Sequence, residues 1–296
     1  MLHLGSCPDS WGVWYADDPR QTPWPRFLDE LAAAGFRRLE LGPYGYLPTD
    51  PSRLADELAA RGLTCAGGTV GGAGGPHRRL PGVLAETRRV AALTAALGAT
   101  DLVFVPVPGY RDDATGGYVE GSRLSPVQWR SLVSNSNELG RMVAEEYGLR
   151  FHFHPHADYQ VEFQEQVEAF LDETDPAYVS LCLDTGHLAY RRADALSIIR
   201  KYPDRVGYVH LKQMDPDLAA RAAAEDLAFA QAVAMGVSVA APAGEPLLPP
   251  ILRALSDLGT DLNVVVEQDM YPVPFDVPLP IAQRTHTYLT SLGVFA

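Results

Sequence analysis

Cysteine is scarce in this 296-residue chain: Cys7, Cys65 and Cys182 are the only three. Their number is odd, they lie far apart, and no CxxC pair occurs. That argues against a disulfide framework and a thiolate zinc site, and it predicts a reducing, cytoplasmic setting. Positive charge is short as well. Lys and Arg number 24 against 37 Asp and Glu, a formal net charge of −13. Affinity for phosphate backbones and anionic lipid comes mainly from clustered Lys and Arg, so no nucleic acid and no membrane is an expected partner. No apolar run approaches the ~18 residues of a membrane span. The stretch Met1-Leu2-His3-Leu4-Gly5 has no basic segment leading into an apolar one, so no signal peptide is expected. No Gly-x-Gly-x-x-Gly follows the first apolar run. The glycine stretch 67–72 lacks the Lys-Ser/Thr ending of a phosphate loop. With its continuation to Gly75, it reads instead as a loop over a pocket.

What the chain does have is apolar residues, 47% of the total, enough for a sizeable core. Eight short apolar runs stand out, at 2–7, 36–41, 63–70, 101–107, 149–154, 179–184, 206–210 and 262–266. Nearly continuous apolar runs of this length are typical of buried parallel strands. Each is followed by a helical pattern, at 25–34, 51–62 (capped by Asp50), 84–97, 126–147, 163–171, 193–201, 248–258 and 279–292. Residues 213–245 form an insertion with its own helical piece at about 219–234. Eight strand-then-helix units without a Ser/Gly/Pro linker predict an α/β fold, a single (β/α)₈ TIM barrel over residues 1–296. The main competitor is a doubly wound open sheet, but no strand–helix pattern resets midway.

Chemistry in a barrel collects at the carboxyl ends of the strands. Read in order, those ends offer Cys7, Glu40, Thr69, Pro106, His154 with His156, Asp184 with His187, His210 with Lys212, and Glu267 with Asp269. Several carboxylates and imidazoles on one face make up the composition of a divalent-metal site. Bland alternatives exist for each. Asp184 before Thr185-Gly186-His187 is also a helix cap, His210 alone reads as a core histidine, and His152 as a packed one. Glu162 suits the first turn of a helix as well as a ligand position. Glu267 is harder to explain away, because Val264-Val265-Val266 bury its strand and an ionised Glu there needs a partner. Trp11, Trp14, Tyr44 and Tyr46 lie on the first two loops. Some are expected as packing and the rest as walls for the apolar face of a sugar ring.

Leu39-Glu40-Leu41-Gly42, His154-Pro155-His156, Leu183-Asp184-Thr185-Gly186-His187, Val209-His210-Leu211-Lys212 and Val266-Glu267 together resemble the xylose-isomerase-like TIM-barrel superfamily of sugar isomerases and epimerases. Within it the chain looks closest to the inosose (2-keto-myo-inositol) dehydratase branch. The resemblance covers essentially the whole chain. It implies one divalent metal ion, Mn²⁺ foremost, with Co²⁺, Mg²⁺ or Zn²⁺ as alternatives. Asp184, His210 and Glu267 match three of the superfamily's four ligands. The fourth, a Glu inside the fifth strand, is His152 here by spacing. The remaining ligand is then sought in Glu162, His154 or His156. Glu162 is favoured because a carboxylate preserves the charge of the site.

The activity implied is a lyase or isomerase acting on an unphosphorylated keto-polyol through an enediolate, with dehydration of an inosose foremost. Epimerisation or isomerisation of a ketose or cyclitol is the alternative with the same site. A metal-free sugar-binding barrel is the alternative of another class. A multi-metal nuclease is disfavoured by the acidic charge. The base is expected among His156, Glu40 and Glu162, and the acid among His154, His187 and Lys212. His154 and His156 are expected near their ordinary pKa. Trp11, Tyr44, Thr69 and His187 are the expected substrate contacts. The oligomeric state is left open, a homo-oligomer included.

Overall fold

The computed structural model describes residues 1–71, 77 and 80–296. The end of the glycine loop, from Gly72, lies outside them. Eight parallel strands close into a barrel in the order β1-β10-β7-β6-β5-β4-β3-β2. In chain order they are β1 (Leu2–Ser6), β2 (Arg38–Glu40), β3 (Thr64–Val70), β4 (Asp101–Phe104), β5 (Arg150–Phe153), β6 (Ser180–Asp184), β7 (Val206–Leu211) and β10 (Leu262–Val266). The remaining two, β8 (Gln213–Met214) and β9 (Ser238–Val239), pair antiparallel outside the barrel.

All eight apolar runs became barrel strands. The helices between them pack against the outside of the barrel. Leu248–Asp257 shows why: its buried Leu248, Ile251, Leu252 and Leu255 fall on one face at helical spacing. Burying each such side chain fully stabilises by roughly 1.5–3 kcal/mol. The helix Pro51–Ala59 begins as expected, with the Asp50 side chain accepting from the Arg53 N–H at 2.8 Å. The helix Pro126–Tyr147 starts in a capping box formed by Ser125 and Gln128. Among the described residues no helix is long and apolar enough to cross a membrane.

Two expectations need correction. Residues 213–245 do not hold one helix at 219–234 but two shorter ones, Pro216–Ala224 and Phe229–Ala234, with Asp226 between them in a left-handed conformation (φ 50°). A short helix, Thr185–Tyr190, also follows β6 directly. It is too brief to show a periodic apolar pattern.

Alternation along each strand sends every second side chain inward. The barrel interior therefore stacks in layers. Asp101, His152, Ser180 and Asn263 form a polar layer towards the amino ends. A middle layer contains Ala66, Val103, Cys182, Tyr208 and Val265. Glu40, His154, Asp184, His210 and Glu267 stand towards the carboxyl ends. The register places Asp184 beside His210 on neighbouring strands.

Candidate metal and active centre

Asp184 sits where β6 turns into the helix Thr185–Tyr190. Its Oδ1 accepts from the N–H groups of Gly186 (2.8 Å) and His187 (2.7 Å), so it does cap that helix. Its other oxygen, Oδ2, faces His154 Nε2 at 3.4 Å, His210 Nδ1 at 3.8 Å and Lys212 Nζ at 3.4 Å. One oxygen of the carboxylate thus caps the helix, while the other faces the cluster.

His210 is oriented from below. Its Nε2–H donates to Glu40 Oε2 at 2.8 Å, and Glu40 Oε1 accepts from Thr69 Oγ1 at 2.5 Å. Its Nδ1 is left 3.0 Å from Glu267 Oε2. A carboxylate that orients an imidazole in this way is a common support for a metal ligand. Glu40, expected as a base or substrate contact, has both oxygens engaged and serves His210 instead. Burial opposes charge on His210, yet Cys182, Glu267 and Glu40 around it hold its pKa well above the ordinary imidazole value. That nitrogen environment favours a cation.

Burial by itself would raise the carboxyl of Glu267, but His210 and Lys212 hold it well below the usual range. Burial likewise opposes Asp184, whose pKa Lys212 and His154 bring down. Lys212 is buried among carboxylates, 2.8 Å from Glu267 Oε2 and 2.7 Å from Asp269 Oδ2. Burial disfavours its ammonium, while Asp184, Asp269 and Glu267 raise its pKa well above the ordinary value. It is a fixed positive charge rather than a ready proton donor.

Both ring nitrogens of His154, Asp184 Oδ2, His210 Nδ1 and Glu267 Oε2 are buried without a hydrogen-bond partner of proper geometry. Buried polar atoms are ordinarily satisfied. Donor atoms of His154, Asp184, His187 and Glu267 lie within 4.8 Å of one another. His210 Nδ1, 3.8 Å from Asp184 Oδ2 and 3.0 Å from Glu267 Oε2, adjoins the same group, so imidazole and carboxylate donors of the kind that suit a divalent ion such as Zn²⁺, Mn²⁺ or Co²⁺ come together here. Cys182 lies close to His154 and His210, but burial pushes its thiol up to about 12, so it stays protonated.

The structure does not bring Glu162 to this group. Glu162 Oε2 accepts from Arg191 Nε at 2.6 Å and from the Asp158 N–H at 2.9 Å, and Oε1 accepts from the Tyr110 hydroxyl at 2.5 Å. The loop after β5 turns it away, and His154 stands in its place. His152, two residues earlier, lies at the other end of the barrel, bonded to Asp101 Oδ1 and Ser180 Oγ at 2.7 Å each.

Above the cluster opens a cavity of about 350 Å³. His154, His210 and Glu267 lie at its floor, and Trp14, Tyr44, Thr69, Tyr159 and Phe229 stand among its walls. Tyr44 and Thr69 are therefore where a substrate contact requires. Trp11 is not. It is fully buried in the core, donating from Nε1 to Glu30 Oε2 at 2.9 Å and meeting Phe27 edge-on. Tyr46 is also packing, its hydroxyl bonded to the Thr22 carbonyl. His187 does not line the cavity. It accepts from Lys212 Nζ at 3.1 Å, and burial, then His156 and Lys212, hold it well below its ordinary pKa.

His156 does face the cavity, with Nδ1–H donating to the Ala157 carbonyl at 2.7 Å. Burial, followed by His154 and Lys212, pushes its pKa down to about 3. The expectation of a value near neutrality fails because the ring is enclosed between Tyr159 and His187.

Two cavity-facing carboxyls were missed as site residues. Asp9 lies on the turn after β1, and burial, Glu267 and Asp269 push its carboxyl well above the usual range. Asp269 is raised to about 6 by burial and Glu267, against the pull of Lys212. The signal for Asp269 was present: Glu-Gln-Asp alternation puts residues 267 and 269 on one side. For Asp9 only its place after the first strand pointed this way.

The family model described as "Xylose isomerase-like TIM barrel" matches residues 28–289. The chain belongs to this family. Among xylose isomerase-like barrels similar to it, the inosose dehydratase of Clostridium perfringens is 26% identical over 97% of this chain and 96% of its own length. The solved L-ribulose 3-epimerase superposes with a TM-score of 0.71 at 17% identity, covering 99% of this chain and 94% of that one. The IolI protein, solved with a bound zinc atom, gives 0.71 at 16% identity over 98% of both chains. The matched residues take in seven of the eight barrel strands, β2 through β10.

Proposed function

We propose that this chain is a divalent-metal-dependent lyase acting on an unphosphorylated keto-polyol, a dehydratase of keto-inositols. The observation that carries the reading is the convergence of buried His154, Asp184, His210 and Glu267 atoms that make no well-formed hydrogen bond, under a cavity walled by aromatic rings. The resemblance to inosose dehydratases along nearly the whole chain supports the substrate class. Among the described residues the cavity lining is acidic, with Asp9, Glu86, Asp113, Asp158, Glu267 and Asp269 and neither Lys nor Arg, which disfavours a phosphorylated substrate.

His154, Asp184, His210 and Glu267 would hold the ion. When bound, it supplies Lewis-acid stabilisation of negative charge developing on the ketone oxygen. Glu40 keeps His210 in register. Lys212 adds a fixed positive charge beside the site. Two carboxyls face the cavity in different environments, the pattern from which acid and base roles follow. Asp269, ion-paired with Lys212 at 2.7 Å, is the base that takes the proton from the carbon next to the ketone. The C–H electron pair moves into the enolate. It then forms the carbon–carbon double bond as the neighbouring C–O bond breaks. Asp9, held protonated, gives its proton to the departing hydroxyl, which leaves as water. In this reading residues 1–296 act as one domain, in a reducing, cytoplasmic setting that suits three free cysteines.

Epimerisation is the second reading. Asp9 would return a proton to the carbon instead of to the hydroxyl. Incubating the Mn²⁺-loaded protein with 2-keto-myo-inositol in D₂O separates the two. Loss of water with appearance of an unsaturated ketone supports dehydration, and deuterium incorporation without water loss supports epimerisation. Neither change, with keto-inositols or free ketoses, overturns both. Asp269→Asn should lower kcat about 10²–10⁴-fold with metal content retained.

A further inference from the structure

The insertion 213–245 does more than lengthen a loop. Its buried residues Met214, Ala222, Phe229, Ala232, Val233 and Val237 form a small core together with Ala157 from the loop after β5 and Tyr190 from the short helix after β6. The insertion is thus packed onto the rim of the candidate site. Phe229, the first residue of its second helix, is the side chain that reaches inward. Its ring lies 4.8 Å from His187 and 5.3 Å from His156, and it lines the cavity together with Trp14 and Tyr44 of the first two loops.

One residue fastens Phe229 to the barrel. Asp158, in the loop after β5, has a left-handed backbone (φ 65°), a conformation uncommon outside glycine. Its Oδ2 accepts from the Phe229 N–H at 2.5 Å, and its Oδ1 accepts from Arg191 at 2.6 Å. Its own N–H donates to Glu162, and its carbonyl accepts from the Tyr110 N–H at 2.9 Å. Arg191 binds Glu162 in turn, and Arg111 reaches across to Asp226 of the insertion. A side chain at Gly109 would overlap the Tyr159 ring and the Asp158 carbonyl, so the loop after β4 can approach closely only with glycine there. Four loops therefore meet at Asp158. Glu162, favoured as a metal ligand because a carboxylate preserves the charge of the site, belongs to this knot.

We propose that Phe229 is the specificity-determining wall of the cavity, and that Asp158 is the positioning residue that holds it there. This deepens the keto-polyol reading and rests on it. At about 350 Å³ the cavity lies near the lower end of the ~300–1,000 Å³ typical of small-ligand pockets. With Phe229 in place, the site takes a single unsubstituted polyol ring. A ring carrying an O-alkyl or O-aryl group meets the phenyl wall.

The test uses binding as well as turnover. Calorimetry of the full-length Mn²⁺-loaded protein with myo-inositol and with its mono-O-benzyl ethers reads selectivity without chemistry. Phe229→Ala should shift the affinity ratio towards a bulky ether by at least about tenfold, the scale on which a hydrophobic pocket discriminates small apolar groups. Phe229→Leu should shift it less, and it covers the case in which the alanine variant does not fold. Asp158→Asn keeps a residue tolerant of the left-handed backbone but removes the charge. It should move the ratio in the same direction and raise KM for the unsubstituted keto-polyol, with kcat little changed. Added to Phe229→Ala it should do nothing further, because it acts through that ring. A purely structural role for Asp158 would lower stability and leave the ratio alone. Wild-type binding with an unchanged ratio in all variants overturns the wall and spares the polyol reading. If the wild type binds neither compound, both fall.

Discussion

The barrel contains two clusters of histidine and acid, one at each end, and they behave oppositely. At the amino end, His152 Nε2–H donates to Asp101 Oδ1 and His152 Nδ1 accepts from Ser180, each at 2.7 Å. Asp101 Oδ2 also accepts from Asn263 at 2.9 Å across the barrel and from Arg150 at 3.0 Å. Every polar atom of the His152–Asp101 pair has a partner. At the carboxyl end, His154, Asp184, His210 and Glu267 bury atoms with no hydrogen bond of proper geometry, met only by looser ion pairs such as that of Glu267 Oε2 with Lys212 Nζ. The residue types are the same and the burial is similar. A satisfied network closes the floor of a barrel and specifies its packing. An unsatisfied one keeps donors available for something the protein must bind.

The most drastic way to break this contrast is to remove a donor at the open end. Asp184→Ala should lose its metal and at least about 10²–10³-fold in turnover, the scale seen when one preorganised electrostatic group is deleted. Its stability should fall by about 1 kcal/mol for the lost helix cap, with a further loss from the buried Lys212 ammonium it leaves with one carboxylate fewer. Metal analysis with kinetics checks this; a variant that keeps a full equivalent of metal and full activity places the site elsewhere. At the closed end the balance reverses. Asp101→Ala leaves His152 without its acid and should cost roughly 3–5 kcal/mol of stability, as for other broken buried pairs. Metal content and turnover per folded molecule should stay unchanged. Urea unfolding beside metal analysis reads both quantities.

A subtler pair of variants sharpens the boundary between support and bystander. Glu40→Gln should weaken metal binding by about 10–100-fold, because it orients His210. Glu162→Gln should leave affinity alone and disturb only the loop knot at Asp158. Metal titration decides; a loss confined to Glu162→Gln would return that residue to the ligand set. The smallest effect is in acid. Burial opposes ionisation of Asp101, but His152 and Arg150 bring its pKa below the ordinary carboxylate value. A depressed carboxyl stabilises the fold above its unfolded pKa, about 3.9. The contribution disappears as pH falls from there through the folded value. Wild-type stability should therefore drop below about pH 4, and Asp101→Asn should lack that component of the acid limb.

The contrast also explains what could be read from sequence. Eight apolar runs and their helices were legible because parallel strands buried on both faces leave an unbroken signal. That Asp184, His210 and Glu267 come together at the carboxyl end was legible because each ends such a run. The partner of these three was not. Alternation puts His152 and His154 on the same inner face, and spacing along one strand cannot say which layer of the barrel each one reaches. Choosing Glu162 to preserve charge ignored Arg191, whose guanidinium comes from a different strand's loop. Trp11 failed for a similar reason. An aromatic residue on a site-facing loop is a wall or a core anchor according to a partner, here Glu30, that lies on a helix nineteen residues on.

Lys212 reaches the cluster only because of the neighbouring strand's turn. The Thr185 hydroxyl donates to the Lys212 carbonyl at 2.7 Å and accepts from its N–H at 2.9 Å. A methyl group at Gly186 would overlap the Lys212 stem at Cβ and Cγ. His187 receives the Lys212 ammonium. Asp-Thr-Gly-His and His-Leu-Lys are thus not two signatures but the halves of one joint, mortise and tenon. Neither half can be transplanted alone into another barrel and keep its shape. A change at 186 is admissible only in a chain whose residue 212 has already become slimmer.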